Sequence, residues 1–75
     1  MPENALAIWT VYKHPRDYPG KYVARKSMAT GEGIGITRDM FVADSLAEVR
    51  ALLPFGLTRL PRQAADDPVI VEVWL

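Results

Sequence analysis

Only one stretch of this chain carries the spacing of an amphipathic helix, and it is short. Leu46, Val49, Leu52 and Leu53 fall on one face at helical intervals. Ser45, with Glu48 three residues later, forms a capping box, in which hydroxyl and carboxylate each satisfy a free backbone N–H. Pro54 stops the helix, and Gly56 suits the turn after it. A helix of about nine residues is not stable alone in water, so it must pack on something else. The remaining candidate elements read as strands. A single helix covers only one face of a sheet, and this limits every fold the chain can adopt.

The segment from Ala5 to Lys13 is rich in β-branched and aromatic residues and reads as a strand. Leu6, Ile8 and Tyr12 lie on one side of it; Ala7, Trp9 and Val11 lie on the other. Apolar groups on both sides predict an interior strand. His14 to Gly20 reads as a loop, with Pro19-Gly20 fitting the centre of a type II turn. Lys21 to Met28 follows as a second strand, joined to the first by a connection short enough for an antiparallel hairpin.

Thr30-Gly31-Glu32-Gly33 has turn chemistry. Ile34 to Ala43 then reads as a third strand, weakened at Gly35 and interrupted near Arg38-Asp39. After the helix, Phe55 to Leu60 returns the chain as a short extended piece, and Pro61 to Pro68 is a polar connector. Val69 to Leu75 is the last strand. Val69, Val71, Val73 and Leu75 are expected on one face, and Ile70, Glu72 and Trp74 on the other.

The fold class is therefore α+β. We expect one domain over residues 1–75, with a small antiparallel sheet in the order β-β-β-α-β and one helix packed on one face. The first and last strands are apolar on both sides, so the second face also calls for cover. A second copy of the chain is the economical candidate. Trp9, Ile70 and Trp74 are the expected interface patch if they lie away from the helix.

A chain of 75 residues buries only about 60% of the surface exposed on unfolding, so stability is marginal without a staple. With no cysteine, disulfides and thiolate metal sites are excluded. With one histidine, His14, a His-rich metal site is excluded as well. Oligomerisation is the staple that remains. No signal-peptide pattern is visible near Met1, and no apolar run approaches the roughly 20 residues that span a bilayer. The expected compartment is the cytoplasm, with no membrane partner and no cofactor.

Nine basic residues balance nine acidic ones, which argues against a dedicated nucleic-acid binder. The distribution is uneven. Residues 1–38 carry six basic and three acidic groups, and residues 39–75 the reverse. Lys13, Arg25 and Lys26, together with Lys21 and the aromatics Trp9 and Tyr22, have the composition of a single-stranded nucleic-acid surface that works by charge and stacking. The plainer reading of Lys13, Tyr22, Arg25 and Lys26 is a solvated sheet face with aromatics in the core, and both readings stay open at this point.

Catalytic signals are sparse. His14, Asp17 and Tyr18 share a loop, but no nucleophile or second acid–base group supports them. Gly31-Glu32-Gly33-Ile34-Gly35 is not a dinucleotide-binding fingerprint and lacks the lysine of a phosphate loop. Asp66-Asp67 offers far fewer oxygens than calcium needs. A non-enzymatic protein-interaction or accessory domain, able to self-associate, is the function we expect.

Three stretches carry a resemblance: Asp17 to Arg25, Ser45 to Leu53 with Gly56 to Arg62, and Asp67 to Leu75. Together they resemble a family of short bacterial and phage proteins with no established activity. The resemblance covers most of the chain. It implies a cytoplasmic accessory protein and no substrate, cofactor or site residue.

Overall fold

The computed structural model describes residues 5–62 and 68–75. Six elements follow one another: β1 (Leu6–Lys13), β2 (Tyr22–Thr30), β3 (Gly33–Ala43), α1 (Leu46–Leu52), β4 (Arg59–Pro61) and β5 (Ile70–Trp74). The strands form one antiparallel sheet in the spatial order β3-β2-β1-β5-β4. The fold is α+β, as expected. β1 lies at the centre, which explains why both its faces are apolar. The expected extended return after the helix forms the three-residue edge strand β4. Pro61 is tolerated there because an edge strand can lack one ladder donor.

Local chemistry sets the connections. The loop after β1 ends in the turn Tyr18-Pro19-Gly20-Lys21, closed by Lys21 N–H donating to Tyr18 O at 3.2 Å. Gly20 has φ +79°, as position three of a type II turn requires. Gly31-Glu32 makes the tight turn between β2 and β3, and Thr30 Oγ1 accepts from the Glu32 N–H at 3.2 Å. The expected interruption of β3 is an irregularity in pairing. Arg25 opposes Met40 and Ser27 opposes Ile36, so Thr37 to Asp39 face Lys26 alone. Thr37 Oγ1 fills the gap by donating to Lys26 O at 2.8 Å and accepting from Asp39 N–H at 3.1 Å.

Ser45 caps α1, its hydroxyl accepting from Glu48 N–H at 3.2 Å. The helix packs over β2 and β3. Beneath it lies the core of Trp9, Val11, Ala24, Ala43 and Val49, flanked by Phe41, Leu46, Leu53, Leu57, Val71 and Trp74. The Trp9 and Phe41 rings stack with centroids 5.1 Å apart.

One feature of β5 corrects the expected strand faces. Val11 of β1 opposes Glu72, but its neighbour Tyr12 opposes Ile70. Val71 is therefore an extra residue, a β-bulge, and the alternation reverses across it. Val71 packs on the core, whereas Val73, opposite Thr10, faces away from the helix. The single apolar face expected for Val69, Val71, Val73 and Leu75 does not form.

Candidate interaction surface

The pairing registers divide the side chains cleanly between two faces. Trp9, Val11, Tyr22, Ala24, Lys26, Phe41, Glu72 and Trp74 lie on the helix side. Leu6, Ile8, Thr10, Tyr12, Val23, Arg25, Ile34, Ile36, Val42, Leu60 and Val73 lie on the opposite side. Among the described residues, no helix covers this second face.

One end of the open face is covered from within the chain. Pro15 in the loop is buried, and Val23 on the open face is fully buried. Asp17 pairs with Arg25, whose guanidinium lies 6.0 Å from the centre of the Tyr12 ring. The loop of residues 14–20 thus folds onto the Tyr12–Val23–Arg25 end of the sheet. Two shallow hollows flank the Arg25–Tyr12 pair. One, of about 500 Å³, is lined by Pro15, Arg16, Asp17 and Val69 as well as the pair. The other, of about 370 Å³, includes Ser27, Ile36, Arg38 and Met40.

The other end carries exposed apolar side chains. Among the described residues, the exposed large apolar side chains are Leu6, Ile34, Ile36, Val42, Leu52, Phe55 and Leu60. Five of these seven belong to the open face. Ile36 is 91% exposed and Ile34 72%. In the β2–β3 arm, Gly33 and Gly35 alternate with Ile34 and Ile36, so this part of β3 carries all its apolar side chains on the open side. Leu6, Ile34 and Ile36 gather at this end through the rows Leu6–Ala29–Ile34 and Ile8–Ser27–Ile36, whereas Val42 lies opposite Val23 at the loop end; exposed apolar patches of this kind mark interaction sites.

The residues singled out from sequence are distributed differently from the expectation. Trp9 is 4% exposed and belongs to the core. Trp74 opposes Trp9 on the helix side, and only Ile70, opposite Tyr12, faces the open side. Trp9, Ile70 and Trp74 therefore do not make one exposed patch, because the bulge at Val71 reverses the alternation between Ile70 and Trp74.

The basic set is divided too. Lys13 and Tyr22 oppose each other on the helix side, and Lys26 lies on that side beside Trp9, 3.7 Å from Asp39. Arg25 is on the open face, paired with Asp17. His14 meets the edge of the Tyr22 ring with centroids 5.4 Å apart, while Asp17 engages Arg25. The loop thus sends its histidine and its carboxylate to opposite faces. Asp66 and Asp67 lie outside the described residues. Among the described residues, no group of three His, Cys, Asp or Glu is placed to hold a metal, and no helix is long and apolar enough to cross a membrane.

The sequence reading missed a cluster on the helix side. Glu72 is 1% exposed. Its carboxylate accepts from Arg50 Nε at 2.9 Å, from Arg50 Nη2 at 2.5 Å and from Trp74 Nε1 at 2.6 Å. Burial alone pushes the Glu72 carboxyl up. The Arg50 and Trp74 hydrogen bonds, with the charges of Arg50 and Arg59, outweigh it and hold the group below the ordinary glutamate range. The bond to Glu72 raises the Arg50 guanidinium in turn. This cluster ties α1 to β5 and has the form of a structural clamp. The available signal was a lone acid in an interior apolar strand, which needs a buried partner.

No family model, no curated protein and no solved structure matches the chain.

Proposed function

We propose that this chain is a non-enzymatic interaction domain that docks a protein on its open sheet face. The observation behind the reading is the presence of Leu6, Ile34, Ile36, Val42 and Leu60 on the face that no helix of the described residues covers. The resemblance to short bacterial and phage proteins agrees with an accessory role. The cysteine-free composition fits a cytoplasmic setting.

The alternative, a single-stranded nucleic-acid module, draws less support. It needs basic groups and aromatics on one accessible surface. Lys13, Tyr22 and Lys26 lie opposite to Arg25, and Trp9 is buried.

The test is a photoreactive residue placed at Ile36 or Leu6, compared with one at Ala47 on the solvent side of α1. The open-face positions are expected to give discrete protein adducts, with the chain itself or with another protein. Ala47 is expected to give none. Absence of adducts from both open-face positions, or equal yield from Ala47, defeats the reading.

A further inference from the structure

We propose that the free edge of β3 pairs with the same edge of a second copy, antiparallel and centred on Gly35, so that two sheets join side by side into one. This goes beyond the docking reading, because it uses the backbone of an edge strand and not the open face.

Backbone direction at this edge follows from three printed contacts of the hairpins. His14 N–H donates to Lys21 O at 2.7 Å, so Lys21 and the odd-numbered residues of β2 turn their backbone groups towards β1. The even-numbered residues of β2 then serve β3, and Lys26 O accepts from Thr37 Oγ1 on that side. Their partners include Gly33, opposite Thr30, and Gly35, opposite Met28. Ile34 and Ile36 therefore direct N–H and C=O away from β2. β3 is the last strand of the sheet on this side, and among the described residues no strand pairs beyond it. Such a row of outward donors and acceptors is satisfied by an extended strand.

The two edges of the sheet differ. β4 is three residues long, begins with Arg59 and ends with Pro61. Shortness, charge and proline all discourage pairing with another chain. From Gly33 to Ile36, β3 has no charge and no proline, and every residue is exposed. A strand added there would run about 14 Å from β1, three strand spacings away. Residues 1–4 cannot both cross that distance and run along β3, since four residues span at most about 14 Å. Residues 63–67 connect β4 to β5, on the other side of β1.

The segment is complementary to itself. Centred on Gly35, Ile34 of one copy opposes Ile36 of the other, and exposed Glu32 stands beside exposed Arg38 at each end. A partner strand for this edge needs a base near Glu32 and an acid near Arg38, and the chain supplies both. Moving the centre to Ile34 or Ile36 would set an isoleucine against Glu32 or Arg38. In the Gly35 register, the Ile34–Ile36 pairs exchange N–H···O bonds in both directions. Gly35 meets Gly35 at the closely spaced position between them, with Cα atoms about 4.5 Å apart. The two-fold axis passes between these glycines, and the contact is isologous.

The experiment is disulfide trapping. The chain has no cysteine, so one introduced thiol forms a disulfide only between copies. A Cβ at Gly35 meets only Met28 O, at 4.0 Å, and φ there lies outside the left-handed region, so Gly35→Cys fits the single chain. A Cα separation of about 4.5 Å lies within disulfide reach. Gly31→Cys, at the tip of the same arm, is the control, since a Cβ there also meets open space. In a glutathione redox buffer at about 100 μM protein, Gly35→Cys is expected to form dimer at least about tenfold faster than Gly31→Cys. Arg38→Glu in the Gly35→Cys chain sets acid beside acid at both ends and is expected to slow trapping about threefold, with Glu32→Arg added to it restoring the rate. Equal rates for the two cysteine variants overturn the pairing. A fast rate that neither charge change alters overturns the register and, with it, the second copy as partner. The docking reading is tested apart from this edge by the photoreactive residue at Leu6, which lies on β1. Fast Gly35→Cys trapping without Leu6 adducts keeps the edge pairing and defeats the docking face, and the reverse result keeps the docking face and defeats the pairing.

Discussion

The two faces of this sheet are built from the same strands yet finished differently. On the helix side, Trp9 stacks on Phe41, Val49 of α1 is fully buried, and Arg50 reaches Glu72. On the other side, the loop of residues 14–20 lies over one end through Asp17 and Arg25, and Ile34 and Ile36 are exposed. The difference follows from the number of elements. A seven-residue helix can close one face of a five-strand sheet, and the described residues form one such helix. The helix side therefore supplies the stability of the single chain, and the open side is the surface proposed for docking. Substitutions on the two sides should accordingly report through different measurements.

Trp9→Ala should produce the largest effect. It removes the largest buried side chain of the core together with its stack on Phe41. We expect a loss of about 4 kcal/mol. A domain of this length has a total stability of about 5 kcal/mol or a little more, so the variant should be largely unfolded by circular dichroism at dilute concentration. A loss below about 1 kcal/mol would mean that the helix side is not the source of stability, and the contrast between the faces would fail.

Next is Arg50→Ala, which leaves the Glu72 carboxylate buried with Trp74 as its hydrogen-bond donor among the described residues. The expected cost near neutral pH is about 3 kcal/mol by denaturant unfolding. The pH dependence sharpens the test. In the wild type, the folded pKa of Glu72 is depressed. Its contribution is present above the ordinary glutamate range and is lost as pH falls below that range. Without Arg50, its hydrogen bond and its charge no longer hold the Glu72 carboxyl down, and the folded pKa rises from its wild-type position. Protonation then relieves the buried charge, so the deficit of the variant should shrink as pH falls through the acidic range. A deficit independent of pH would show that the ion pair is not what Arg50 contributes.

Much of the closed side was legible in the sequence because its signals are local. The Pro19-Gly20 turn, the Ser45 cap and the stop at Pro54 each rest on neighbouring residues, and each forms where expected. The central place of β1 followed from apolar groups on both its faces. The bulge at Val71 was not legible. It leaves no mark on the alternation of Val69 to Leu75, yet it turns Ile70 away from the helix side that Trp74 occupies. The Glu72–Arg50 pair spans 22 residues and becomes visible only when β5 and α1 are brought together. The open face itself was foreseen as a need for cover. Its composition was not, because the exposed isoleucines of β3 lie in a stretch that read as a weakened strand.

Ser45→Ala is a smaller perturbation on the closed side. The hydroxyl accepts the Glu48 N–H, and its loss should cost about 1 kcal/mol in a urea titration. The helix is short and draws its stability from packing, so the variant should keep native tertiary signals with a lower midpoint. A change below about 0.3 kcal/mol would mean that packing against β2 and β3 fixes the helix start without the cap.

Ile36→Ser should produce the smallest change in the stability of the single chain, within about 0.5 kcal/mol at concentrations where the protein is monomeric. The side chain is 91% exposed, so it loses little burial when truncated. The same substitution should lower the adduct yield from a photoreactive residue at Leu6, because it removes an apolar side chain from the proposed docking face. Comparison of the two readouts separates the faces more directly than either alone. Trp9→Ala should destabilise the protein itself, whereas Ile36→Ser should spare the fold and weaken docking. A stability loss above about 1 kcal/mol for Ile36→Ser would place Ile36 in the fold of the single chain and remove the distinction between a stabilising face and a docking one.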